Sequence, residues 1–87
     1  MKRQGNRHRQ FSERPRGALA EFLTALEEVF PAAKGKTKIF TRPDGRVIVN
    51  VFLPRQVRER MQLFDRMSEV GTRLLIETGH YIILSGR

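Results

Sequence analysis

Apolar positions recur along the chain with two different periods, and the switches between them mark out the predicted elements. Leu19, Phe22, Leu23, Leu26, Val29 and Phe30 are spaced by three and four residues, one stripe of an amphipathic helix, with Glu21, Glu27 and Glu28 off it. Ser12 is placed to cap this helix and Pro15 to sit in its first turn, where N–H groups lack helical partners. Pro31 disfavours helical geometry at Phe30 and ends the helix there. After a Lys34-Gly35-Lys36 loop, residues 37–42 and 46–53 flank Pro43-Asp44-Gly45. Proline presets φ, aspartate bonds nearby backbone and glycine accepts positive φ, so this stretch reads as a β-hairpin. In its second strand Val47, Val49, Val51 and Leu53 form one face, while Ile48 and Phe52, with Asn50, form the other. A strand apolar on both faces is expected to be central in its sheet or to lie at an oligomer contact.

Pro54 suits the first turn of a second helix, with Val57, Met61, Phe64, Met67 and Val70 as its buried stripe and Gly71 as its stop. Residues 72–77, a Thr78-Gly79 turn and residues 80–85 then read as a second hairpin, the most apolar part of the chain. The expected class is therefore α+β, in the order α-β-β-α-β-β. A four-stranded antiparallel sheet with two helices packed on one face is the simplest layered solution.

Length and charge refine this picture. Eighty-seven residues allow one domain, here residues 12–87, preceded by an arm over residues 1–11 without apolar periodicity, which is predicted to be disordered when free. A chain of this length buries only about 60% of the surface its unfolded form exposes, so burial by homodimerisation is expected. With no cysteine there is neither a disulfide nor a Cys-ligated zinc, which suits a reducing cytoplasm. No segment approaches a membrane span, and the basic start lacks the apolar core of a secretory signal. The net charge of +8 is uneven: +5 over residues 1–17, −3 over 18–30, +6 over 31–60 and zero over 61–87.

No residues assemble the chemistry of an enzyme. A nucleophile needs an adjacent base, yet His8 falls in the arm and His80 at a turn, and no serine sits in a strand-to-helix elbow. Asp65 and Glu69 share a helix face, but Arg66 and Arg73 are close enough to pair with them, so a solvated, salt-bridged face is expected and no metal site. No glycine-rich phosphate loop and no cofactor motif is present.

The basic residues point instead to nucleic acid. Lys2, Arg3, Arg7, Arg9, Arg14 and Arg16, interspersed with Gln, Asn and Gly, form an arm suited to phosphates and base edges. Alternation along the first strand sets Lys36, Lys38, Phe40 and Arg42 on one face, cations for phosphates around an aromatic ring on which a base can stack. The competing expectation is an edge strand guarded by lysine, with Phe40 in the core. On the second helix Arg55, Arg58, Gln62 and Arg66 align opposite the predicted apolar stripe. The expected function is a small basic nucleic-acid-binding protein that contacts mainly the phosphate backbone, of DNA or RNA. The alternative is a protein-interaction module, a homodimeric adaptor or an inhibitor docking on a larger acidic partner. Asp44-Gly45-Arg46-Val47-Ile48-Val49, after a helix and a strand, resembles the hairpin of small toxin mRNA endonucleases of the HicA type. That family uses a histidine on the preceding strand, where this chain has Lys36, Thr37 and Lys38.

Overall fold

A computed structural model describes residues 16–87. The basic arm, Ser12 and Pro15 lie outside the described residues. Helix α1 (Arg16–Val29) is followed by a single 3₁₀ turn (Pro31–Ala33), strands β1 (Lys38–Thr41) and β2 (Val47–Val51), helix α2 (Val57–Thr78) and strand β3 (Ile82–Gly86). The sheet has three strands in the order β1-β2-β3, with β1 antiparallel and β3 parallel to β2.

The first hairpin follows its turn chemistry. The Arg42 N–H donates to the Arg46 carbonyl at 2.8 Å, and the Gly45 N–H donates to the Arg42 carbonyl at 2.9 Å. Gly45 takes a φ of +93°, the left-handed residue that closes a three-residue hairpin loop. Strand β2 is central, as its two apolar faces imply, and β1 is an edge.

The second hairpin does not exist, and the four-stranded antiparallel sheet of the α-β-β-α-β-β order is replaced by a three-stranded mixed one. Residues 72–78 continue α2, and the chain ends in a lone strand. Gly71 is not a stop. It is buried in mid-helix, where a Cβ would stand 2.9 Å from the Ile82 carbonyl oxygen and 3.7 Å from Phe22 Cε2. Its missing side chain lets the helix lie directly on β3. The helix stops instead at Gly79, left-handed with φ +80°, whose N–H donates to the Leu75 carbonyl at 2.8 Å. With a helix as the return path, β3 re-enters the sheet running the same way as β2, which a two-residue turn cannot achieve.

The buried stripe of α2 overlaps the expected one: Met67 is buried, and Phe64 and Val70 pack partly against the core. Leu63, Met67, Gly71 and Leu74 face the core, while Val57 and Met61, expected there, are 59% and 61% exposed. Twenty-two residues make a helix of about 33 Å, roughly twice the length of a five-residue strand, so its first turns overhang the sheet. Helix α2 begins at Val57 rather than Pro54, and the Arg60 guanidinium gathers the loop before it by donating to the carbonyls of Pro54 (3.2 Å) and Arg55 (2.8 Å).

One core joins Ala18, Phe22 and Leu26 of α1 to the α2 stripe, to Val47, Val49 and Val51 of β2, and to Ile82 and Leu84 of β3. Both helices thus lie on one face of the sheet. Ile39, on the same side of β1, is 40% exposed, so the helices cover β2 and β3 and leave β1 bare. No helix among the described residues is long and apolar enough to cross a membrane.

Candidate functional site

Among the described residues, no element covers the face of the sheet turned away from the helices. Paired residues of neighbouring strands share a face, so the register aligns Phe40, Ile48 and Ile83 in one row across the three strands, and Lys38, Asn50 and Ser85 in the next. At one end the alternation continues through Arg42 and Arg46 to Tyr81, whose carbonyl accepts from the Val47 N–H at 2.9 Å. At the other end Phe52 carries Arg87, its guanidinium carbon 4.2 Å from the ring centroid. The Arg87 side chain also donates to the Lys36 carbonyl at 3.0 Å.

Three aromatic rings stand on this face. Phe40 is 51%, Phe52 63% and Tyr81 47% exposed. Phe40 is therefore not a core residue, although β1 is the edge strand expected of its lysines. Between the rings, Ile48 and Ile83 are half-buried, and Asn50 Nδ2 donates to Ser85 Oγ at 3.2 Å. That bond leaves the Asn50 carbonyl oxygen without a partner among the described residues.

Charge divides between the two layers. Helix α1 holds one Arg and three Glu, and α2 four Arg against four carboxylates, for −2 and zero. Residues 34–53 hold five Lys/Arg and one Asp, for +4, and Arg87 adds one more. The one acid of this sheet region, Asp44, is engaged locally: it accepts from the Arg46 N–H at 3.1 Å and from its guanidinium at 2.8 Å. The bond from the Arg46 N–H, with further help from the guanidinium, holds the Asp44 carboxyl below the usual carboxylate range.

The residues singled out in the sequence are thereby split. Lys38 and Phe40 share the open face, the pleat brings Arg42 to it, and exposed Lys36 lies beside Arg87. Arg58, Gln62 and Arg66 are exposed on α2, in the helical layer on the other side of the sheet, and exposed Arg55 precedes that helix. Gln62 and Arg66 border a shallow groove against α1 that includes Glu28, so the acidic helix flanks them. Arg16 opens α1 and is exposed, and Lys2, Arg3, Arg7, Arg9 and Arg14 fall outside the described residues. Arg73 does not serve Asp65 or Glu69: it bonds Glu21 of α1 at 3.3 Å and Glu77 at 3.0 Å.

Sequence reasoning missed Tyr81 and Ile83, which the expected second hairpin absorbed, and Arg87, which lies beyond that hairpin. The signal for Ile48 and Phe52 was present in the doubly apolar second strand. For chemistry, no group of three or more potential metal-ligating side chains occurs among the described residues. His80 is half-buried in the turn after α2, its N–H donating to Thr78 Oγ1 at 3.2 Å. No protein-family model matches the chain, and comparisons with curated proteins and with solved structures give no match either. Geometry and charge therefore carry the functional reading.

Proposed function

We propose that the chain is a nucleic-acid-binding protein that holds its ligand mainly by the phosphate backbone. The open sheet face is the folded part of the interface, and the basic N-terminal residues are a second part. The observation that supports this reading is the charge division: the positive surface is concentrated on the sheet region, while α1 is acidic and α2 neutral. Each cation that meets a phosphate releases condensed counterions, which makes binding favourable at low salt and steeply salt-dependent. The α2 arginines are secondary here, because α2 is neutral overall and α1, packed beside it, is acidic.

A second reading is a protein-interaction module, and the exposed rings of Phe40, Phe52 and Tyr81 favour it. It ranks second because cations border those rings.

The test is fluorescence anisotropy with labelled DNA and RNA at about 50 and 200 mM salt. With about five phosphates neutralised on duplex DNA, log affinity falls against log salt with a slope of about −4 to −5. That slope is a loss of more than a hundredfold between the two salt concentrations. Changing Lys2, Arg3, Arg7, Arg9 and Arg14 together to Gln is expected to weaken binding and flatten the slope. An absence of binding at 50 mM salt contradicts the proposal.

A further inference from the structure

Resting on that reading, we infer that the preferred ligand is a single strand, with its bases laid on the aromatic rings of the open face. Phosphate contacts alone do not favour a single strand, since a duplex carries the denser charge, but rings do. In a duplex the flat faces of the bases are covered by their neighbours, so Phe40 and Tyr81 have nothing to stack against. In a single strand those faces are free, and stacking is a sequence-tolerant source of affinity.

Three features of the face agree with this ligand. Successive rows along the strands are about 7 Å apart, roughly twice the 3.4 Å rise of a stacked strand, so bases seated on different rows are separated from one another. Phe40 lies on one edge strand and Tyr81 immediately before the other, with Ile48 and Ile83 as an apolar floor beside them. Asn50, in the row beside this floor, has Oδ1 without a partner among the described residues, an acceptor for an exposed base edge. Cations complete the fit, since Lys38 and Arg87 sit among the rings rather than apart from them.

The same features oppose a second copy as occupant. A twofold pairing of this face with itself sets its cations against the same cations, with Asp44, already bonded to Arg46, as the one acid of the region. An occupant that is both anionic and rich in flat rings meets the requirement.

The chain contains one tyrosine and no tryptophan, so its intrinsic fluorescence reports Tyr81 alone. The experiment titrates the full chain with a 12-nucleotide single strand of mixed sequence, as DNA and as RNA, and with the matching duplex. Anisotropy and tyrosine emission are read together. Single strands are expected to bind at least about tenfold tighter than duplex and to quench the emission, while the duplex leaves emission unchanged. Phe40→Leu should weaken single-strand binding roughly 5- to 150-fold, the range of one lost stacked base, and leave duplex binding within about twofold. Tyr81→Phe, which keeps the ring, should preserve single-strand affinity.

Equal binding of both forms without quenching overturns the stacking inference and leaves the phosphate-binding proposal standing. No binding of either form overturns both. A dimer by sedimentation that Phe40→Leu dissociates, in a chain whose emission no strand quenches, assigns the face to self-association and overturns the inference as well. The wild-type comparison stands by itself if a variant melts early.

Discussion

Gly71→Val is expected to lower stability by about 3 kcal/mol, within the overpacking range and near its upper end. Already the first added carbon would stand 2.9 Å from the Ile82 carbonyl oxygen, which is main chain and cannot rotate away. The two further methyl groups have Phe22, fully buried, and the backbone of β3 as their surroundings. Relief requires α2 to lift from β3, which separates Leu74 and Met67 from Val47 and Val49 across the same core. For a domain of this size 1 kcal/mol is worth about 4–8 °C, so the melting temperature should fall by roughly 12–24 °C. Thermal denaturation followed by circular dichroism measures it. Gly71→Ala is the graded control: helix propensity gains about 1 kcal/mol, so the steric cost there is the net loss plus about 1 kcal/mol. A Gly71→Val chain that melts with the wild type would show that α2 does not approach β3 as described.

The second large effect concerns binding. Lys38→Glu combined with Arg42→Glu should reduce affinity for nucleic acid at least a hundredfold at about 50 mM salt. Two charge-assisted contacts of about 1.5–3 kcal/mol each are lost, and two repulsive charges take their place. The salt slope should shrink by about 2, one for each phosphate contact removed. Both side chains are exposed and β1 is an edge strand, so the melting temperature should stay near that of the wild type. Arg55→Ala, Arg58→Ala and Arg66→Ala together, on α2 and in the loop before it, should change affinity only about threefold or less, since charges that make no contact with the ligand are screened beyond about 10 Å. Reversal of this order, with the α2 variant the more damaging, would move the interface to the helices.

The difference between the legible and illegible parts of this chain follows from how local each signal is. Pro31 and the Pro43-Asp44-Gly45 turn act on their own backbone, and α1 and the first hairpin appear where those residues place them. The two apolar faces of residues 47–53 left a central strand or an oligomer contact open, and β2 is the middle strand of the sheet. Gly71 was misread because a glycine that ends a helix and a glycine that lets a helix approach a strand look the same in sequence. Only the position of Ile82, eleven residues later, distinguishes them. Leu74-Leu75-Ile76 is short and apolar throughout, so it fits a strand or a helix equally well. Of the expected α2 stripe, Met67 is buried and Phe64 and Val70 pack partly against the core, while Val57 and Met61 are exposed and Leu63 and Leu74 take the remaining core positions.

The site was legible in the same proportion. Lys38, Phe40 and Arg42 follow from alternation within one strand, and Phe40 is exposed as a stacking surface requires. Tyr81 and Ile83 join them through parallel pairing with β2, across a helix of 22 residues, and parallel pairing has no local signature. The separation of the α2 arginines from the strand cations is a property of the layers, decided by which face of the sheet the helices cover.

The most direct measurement of the central claim is a titration of ¹⁵N-labelled protein with an unlabelled single-stranded oligonucleotide, followed by amide chemical shifts. The account predicts that perturbations gather on Lys38, Phe40, Ile48, Asn50, Ile83 and Ser85, spanning all three strands. Arg58, Asp65, Glu69 and Ile76, exposed on α2, should remain in place. Shifts confined to α2, with the strands unmoved, would contradict it.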